Sequence, residues 1–383
     1  MKSPSFSLHL VRPIAAAAVS LALLLSSRAG ATTYNPSTTV TNWSATSSWS
    51  PSTGVPSVAG DIASRTASTQ GGTVVLDTPE TIGQLQNTVS SGNLWSITGT
   101  STLTMDNTGG PLNPFGNAWA SIRITSSGPL NLGTNSLVLN QNLDLSNSGS
   151  TSPTITIGGA ISATTTATIF FRNNQQGENI SGSVGLTGSP ITLDNVSSRT
   201  ASTTGNGGAI ALSATLGSDV SSIIENVTGN VTGFSNSTIT ISGANPSFVG
   251  SVSVLDGIIT VSGSGTLGNN NVINVGAGGL AGAHLNLNSV DTVLGAGATL
   301  DTITGSVVNL GYTGTDDILA LSLTGGSTYV SPGIYGSVAS GAPNTSSIFT
   351  GLGTLTIVPE PSTWALLTGA VSLLAAFRRR QRA

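Results

Sequence analysis

The 383-residue chain contains no cysteine. That excludes a disulfide framework, a thiolate metal centre and c-type haem attachment, so stability has to come from hydrogen-bonded strands and packing. Charge is nearly as scarce, at 7% of residues, against about 25% in ordinary soluble domains. Between residues 32 and 357 there is no lysine, a single histidine (His284) and only Arg65, Arg123, Arg172 and Arg199 as cations. All the acidic residues except Glu360 fall in the same region, and four arginines against fourteen acids give it a net charge of −10. A surface that acidic repels phosphate backbones, which are bound by exchanging counterions for Lys and Arg. Nucleic acid is excluded as a partner.

The missing residue types also close most routes to catalysis. A serine triad needs histidine and a nucleophile elbow, and the sequence has no Gly-x-Ser-x-Gly. A P-loop needs lysine, and catalytic zinc usually takes two or three imidazoles. Gly276-Ala277-Gly278-Gly279-Leu280-Ala281 fits the dinucleotide fingerprint, but the following residues alternate with period two instead of opening a helix. His284 reads as a solvent-facing strand residue at a coil edge. Paired carboxylates, Asp77 with Glu80 or Asp316 with Asp317, are the remaining enzymatic option, because acids about 5–9 Å apart serve glycosidases. No cation stands near them in sequence, and they read as solvated turn residues. No cofactor or metal is expected, and the chain reads as non-enzymatic.

What is present is 49 glycines amid Ser, Thr, Asn and β-branched residues. Short runs alternate apolar with polar and end at Gly, Asn or Ser, which is the strand signature. They include 73–76, 101–105, 121–125, 154–157, 238–241, 258–261, 271–275 and 284–288. No 3.6-residue period is sustained inside the body, so helix content should be very low. Asn and Gly at the turns, with Asn able to stack in ladders, favour a solenoid over a sandwich or barrel. Thr154-Ile155-Thr156-Ile157-Gly158-Gly159-Ala160 echoes Thr238-Ile239-Thr240-Ile241-Ser242-Gly243-Ala244, and 64–69 recurs as 198–203. With roughly 20 to 25 residues per coil, the body makes roughly a dozen coils. Trp43, Trp49, Trp95 and Trp119 cluster toward the start, where they plug the first coil or, less simply, offer a sugar-stacking platform.

The two ends read as addresses. Lys2 and Arg12 precede a 12-residue apolar run, Ile14 to Leu25, and Ala29-Gly30-Ala31 supplies a small-x-small cleavage pattern. Residues 1–31 are therefore expected to be a signal peptide, since the run is shorter than the roughly 20 residues needed to span a bilayer. At the other end Pro359-Glu360-Pro361 precedes an apolar stretch, 363–377, and then Arg378, Arg379, Arg380 and Arg382. The arginines act as a membrane stop with the basic end cytoplasmic. The prolines hold the glutamate extended and accessible.

This order resembles the PEP-CTERM sorting signal over residues 358–383. The resemblance implies recognition of Pro359, Glu360 and Pro361 by an exosortase, cleavage near them, and transient inner-membrane anchoring through 363–377. Residues 238–275 resemble the autotransporter-associated β-strand repeat at Thr240, Ser242 to Asn245, Gly250, Gly257, Thr260, Val261 and Leu267-Gly268. Pro246-Ser247-Phe248 replaces that repeat's usual aromatic-Thr-Gly. Asn42-Trp43 to Pro51, Gly54-Val55-Pro56 and Asp61 look like the opening of exported solenoids of this kind. These resemblances imply a parallel β-helix without catalytic residues.

The expectation is an all-β, right-handed parallel β-helix at 32–357, flanked by the signal peptide and a C-terminal single hydrophobic helix. Its partners would be signal peptidase, exosortase and extracellular polysaccharide. It would act as a structural or adhesive protein of the envelope, outer surface or biofilm matrix of a Gram-negative-type bacterium. A surface β-helix polysaccharide lyase or glycoside hydrolase is the alternative. If Ala29 and Ala31 mark the cleavage site, Edman sequencing of envelope-extracted protein starts at Thr32; a start at Met1 would refute export.

Overall fold

A computed structural model describes residues 31–358, apart from 40, 91, 126, 149–153, 174–176, 197–208, 227–236, 270, 277–281, 290–292 and 327. Each alternating run becomes a strand: Thr73–Leu76, Thr102–Met105, Ala120–Ile124, Ile155–Ile157, Thr238–Ile241, Gly257–Gly263, Val272–Val275 and Ala283–Ser289. The period of two does in space what it announces in sequence. In Thr238–Ile241, Ile239 and Ile241 are buried while both threonines are half-buried and face outward. No α-helix occurs among the described residues, and Thr46–Ser48 and Val338–Ser340 are single 3-10 turns.

The strands stack in parallel, coil upon coil. One coil runs through Ile62–Arg65, Thr73–Leu76 and Glu80–Ile82, and the next through Gln84–Asn87, Trp95–Gly99 and Thr102–Met105. Each strand pairs in parallel with its counterpart on the following coil. Repetition builds a first sheet of 13 strands and a second of 11, and a third of four that single bridges at Val184 and Leu216 continue. The fold is β-helix-like. Hydrogen bonds between adjacent coils reach back 21 residues from Asn271 to Gly250 and 30 from Ser221 to Ile191. The expected period therefore holds for the shorter coils only, and insertions at the corners lengthen the rest.

Inside, the register stacks like on like. On the first sheet Leu85, Ile122, Leu145 and Phe171 form one inward column, each fully buried. A Leu or Ile so buried contributes roughly 1.5–3 kcal/mol relative to exposure. The corners obey the same close stacking. A Cβ at Gly159 would run into the Asn135 carbonyl one coil back, and one at Gly243 into that of Ala214. The two echoing heptapeptides thus occupy the same corner of the coil, and their shared glycine is a packing requirement. Asn245 secures its corner: its Oδ1 accepts from Leu216 N–H at 2.7 Å, and its Nδ2 donates to the Gly243 and Thr266 carbonyls.

Both ends of the stack leave the parallel pattern. Trp49–Ser50 runs antiparallel to Thr33–Pro36, and Gly333–Gly336 antiparallel to Thr354–Ile357. Such reversals cover edges that would otherwise pair with other chains. At the N-terminal end Trp43 donates to the Pro56 carbonyl and Trp49 to the Trp43 carbonyl, each at 2.8 Å. Their rings meet edge to face at 4.8 Å. The segments 1–30 and 359–383, and with them the expected hydrophobic helix, lie outside the described residues.

Because Asn245 satisfies three backbone groups at a buried corner, Asn245→Ala should lower stability by about 1–3 kcal/mol. Asn286→Ala, whose amide reaches Thr260 Oγ1 at 3.3 Å on the outer face and no other partner among the described residues, should be close to neutral in urea unfolding.

Candidate functional site

Of the processing residues, only Ala31 lies among the described residues, just before the first strand. Thr32, the next residue, donates its N–H to Asp61 Oδ1 at 3.1 Å, which ties the expected mature terminus to the first coil. Ala29, Pro359, Glu360, Pro361, Arg378, Arg379, Arg380 and Arg382 lie outside the described residues, as do 363–377 and Arg199. The body's final rung reaches to Val358, whose N–H donates to the Ile318 carbonyl at 3.0 Å. No helix among the described residues is long and apolar enough to cross a membrane.

The carboxylate pairs part company. Asp316 and Asp317 are neighbours on the strand Thr315–Ile318, and alternation sends the first inward, fully buried, and the second outward. Asp316 accepts from Leu294 N–H, whereas Asp317 lines a cleft of about 380 Å³ with Pro246, Thr266, Asn269, Leu294 and Thr315. Asp77 accepts from the amide and hydroxyl of Ser44, at 3.0 and 2.5 Å. Desolvation opposes its charge, but these bonds outweigh it and lower the Asp77 pKa. Glu80 is raised, by burial first, with Asp77 adding repulsion. Of the two proposed pairs, only Asp77 and Glu80 share a neighbourhood, and Glu80 is half-buried instead of a solvated turn residue. Among the described residues no three His, Asp or Glu side chains group to hold a metal ion. His284 lies on the outer side of Ala283–Ser289, between Ile258 and Val307, and is therefore on the flat of the second sheet instead of at a coil edge. Ala283–Ser289 is a strand where a dinucleotide site would require a helix.

One constellation lies inside the stack. Glu225 ends the strand Val220–Glu225, and its register puts it in line with Asn195 and Val254 at inward, fully buried positions. Both of its oxygens accept from Asn195 Nδ2, at 3.0 and 2.9 Å, and the same amide donates to Ser237 Oγ at 2.6 Å. Burial, with Asp256 and Asp194 adding repulsion, pushes the Glu225 pKa up to about 8, so it is protonated at neutral pH. Glu178, also buried, is raised well above the usual range by desolvation. Sequence reading passed over both acids, although their alternation with neighbouring isoleucines marks them as inward.

A second constellation lies outside. The four N-terminal tryptophans do not form one plug. Trp43 and Trp49 do, Trp95 is an inward core residue paired with Leu130, and Trp119 stands half-buried on the outer face of the first sheet. Trp119 stacks on Phe170 with ring centres 4.8 Å apart and planes 6° from parallel. Two residues along the same strand, the Arg172 guanidinium lies 5.3 Å from the Phe170 ring centre and 5.0 Å from that of Phe115. Its Nε donates to Asp144 Oδ1 at 2.6 Å, and Asn113 donates to the other oxygen of that fully buried carboxylate. Parity in Ala167–Asn173 marks Phe170 and Arg172 as outward, but nothing local announces partners 28 residues away, as Asp144 is.

No known family, curated protein or solved structure matches this chain.

Glu225 has the sharpest test. Its folded-state pKa lies above that of an exposed glutamate, so its contribution to stability is full below about pH 4.5 and is lost as pH rises through about 8. Relative to Glu225→Gln, the native protein should lose thermal stability between pH 5 and 9. Parallel curves for the two proteins would show that Glu225 does not titrate in this way.

Proposed function

We propose that this is an exported structural or adhesive protein of the cell envelope or exopolysaccharide matrix, sorted by an exosortase-type system and acting without catalysis. The observation that supports it most is a polar ladder on the second sheet. Register aligns Ser96, Asn131, Thr156, Asn179, Ala211, Thr240, Thr260, Asn286, Asn309 and Thr350 on the outer face, one per coil. All but Ala211 carry a hydroxyl or amide, and neighbouring strands set the spacing at about 4.8 Å. Such groups bond to sugar hydroxyls at roughly 0.5–1.5 kcal/mol net each. Repetition along one face then gives avidity without a dominant contact.

The address rests on the termini. The signal-like segment supports export, and Pro359-Glu360-Pro361 before 363–377 and the arginines supports sorting at the inner membrane of a Gram-negative-type bacterium. The parallel stack is in keeping with the autotransporter-associated repeat at 238–275, and its winding is taken as right-handed because about 98% of parallel crossover connections are. The divergence of Asp316 and Asp317 to opposite faces favours the non-catalytic reading over a lyase or hydrolase.

In a host carrying exosortase, Glu360→Ala should leave the tail in place by intact mass, while the native protein loses Trp364 to Arg382. Gene deletion should change aggregation or biofilm cohesion. Sugars released from polysaccharide by the purified protein, and lost in Asp317→Asn, would replace this reading with the hydrolase.

A further inference from the structure

We propose that Trp119, Phe115, Phe170, Arg172 and Asp194 form a carbohydrate-binding ledge on the outer face of the first sheet, and that it takes a neutral pyranose. This deepens the adhesive reading and rests on it for the ligand class, but it uses a face distinct from the polar ladder.

The ledge is carried by the longest coil of the first sheet. Gln84 pairs with Ser121, 37 residues on, and the extra length is the corner segment leading into Ala120–Ile124. That segment exposes Leu112 at 64% and Phe115 at 38% and ends in the half-buried Trp119, in a chain with only 4% aromatic residues. A solenoid corner does not require apolar groups on its outside, and a cluster of them there marks a contact surface.

The polar groups beside the rings are held in place. Asp144 fixes Arg172 through Nε, and the two phenyl rings flank its guanidinium. The terminal Nη nitrogens have no protein partner among the described residues, and the side chain is 25% exposed. On the next strand Asp194 lies opposite Phe170 in register and is half-buried; its Oδ1 is closed to solvent and without a hydrogen-bond partner, so the carboxylate meets a ligand through its other oxygen. A fixed donor and a half-buried carboxylate thus flank an aromatic step. Adjacent hydroxyls of a pyranose fit that pair, one accepting from Arg172 and one donating to Asp194, while the C–H face of the sugar rests on the rings. Apolar walls with a few oriented polar groups are the general form of a small-ligand site.

Charge selects a neutral sugar. Asp144 already balances Arg172, and Asp194 adds a negative group on a body of net charge −10. A uronate would meet repulsion from Asp194 and from the field of the whole body.

The test is affinity electrophoresis of the mature chain through gels containing galactomannan, dextran, laminarin or polygalacturonate. At least one neutral polymer should retard the protein, and polygalacturonate should not. Trp119→Ala and Asp194→Asn should each weaken the apparent affinity at least about tenfold, equivalent to about 1.4 kcal/mol, with circular dichroism unchanged. Phe115→Ala, at an exposed position, should weaken it in the same direction and covers the case in which Trp119→Ala misfolds. No retardation by any neutral polymer, retardation only by polygalacturonate, or retardation indifferent to all three substitutions would overturn the ledge. Matrix retention on cells, measured in parallel, separates the two readings. Native protein retained by the matrix but by no neutral polymer sinks the ledge alone. Native protein absent from the matrix sinks the adhesive reading, and the gels then judge the ledge independently.

Discussion

Between its two ends, a strand of this stack finds its hydrogen-bond partners on the coil before it and the coil after it. Ile239 of one coil meets Ile210 behind and Ile259 ahead, and every strand of the second sheet inherits its position in this way. Parallel pairing of that kind fixes which side chain lies on which, because a slip of one residue would turn the whole inward set outward. The interior is therefore a set of columns instead of a mixed core. Leu85, Ile122, Leu145 and Phe171 stack because each has nowhere else to go. Glycine at 159 and 243 follows from the same contact, with the neighbouring coil's carbonyl occupying the space a side chain would need.

Columns make polar residues inside the stack expensive and also tell them where to look for partners. An isolated buried carboxylate costs far more than folding can recover, so it is neutralised or hydrogen-bonded. Glu225 does both: it takes a proton in the physiological range and receives two bonds from Asn195, the residue one coil back in its own column. Arg172 and Asp144 are solved differently, on the outer face, where a partly exposed cation can pair with a buried anion. Both solutions run along the solenoid axis. Neither has a counterpart within its own strand.

That distinction explains what was legible beforehand. Alternation is local, so strands such as Thr73–Leu76 and Val272–Val275 could be read from a few residues. Corner chemistry was half legible, because Gly159 and Gly243 repeat in echoing peptides, whereas the coil length was blurred by corner insertions: Gln84 to Ser121 spans 37 residues and Ile62 to Gln84 only 22. The tryptophans lie near one another in sequence, but the stack sorts them by parity and corner. Trp95 begins a strand on its inward side; Trp119 stands just ahead of one and reaches across two coils to Phe170. Asp316 and Asp317 cannot meet on one face, because strand alternation separates them. Adjacent strand residues face opposite ways.

The two outer faces then differ in kind. The second sheet offers the same small polar group again and again at the strand spacing, which suits many weak contacts with an extended polymer. The first sheet carries a long corner that lays Phe115 and Trp119 across the Arg172–Asp144 pair. A regular face cannot easily discriminate between polymers, since hydroxyls and amides accept most sugars. One fixed arginine, one half-buried carboxylate and an aromatic step can discriminate, because a ligand lacking the matching hydroxyls leaves polar groups it has covered unpaired. Avidity from the repeated face and selectivity from that inserted corner would then belong to different parts of the same coil stack, and a corner is where a solenoid can gain such a feature without disturbing its columns.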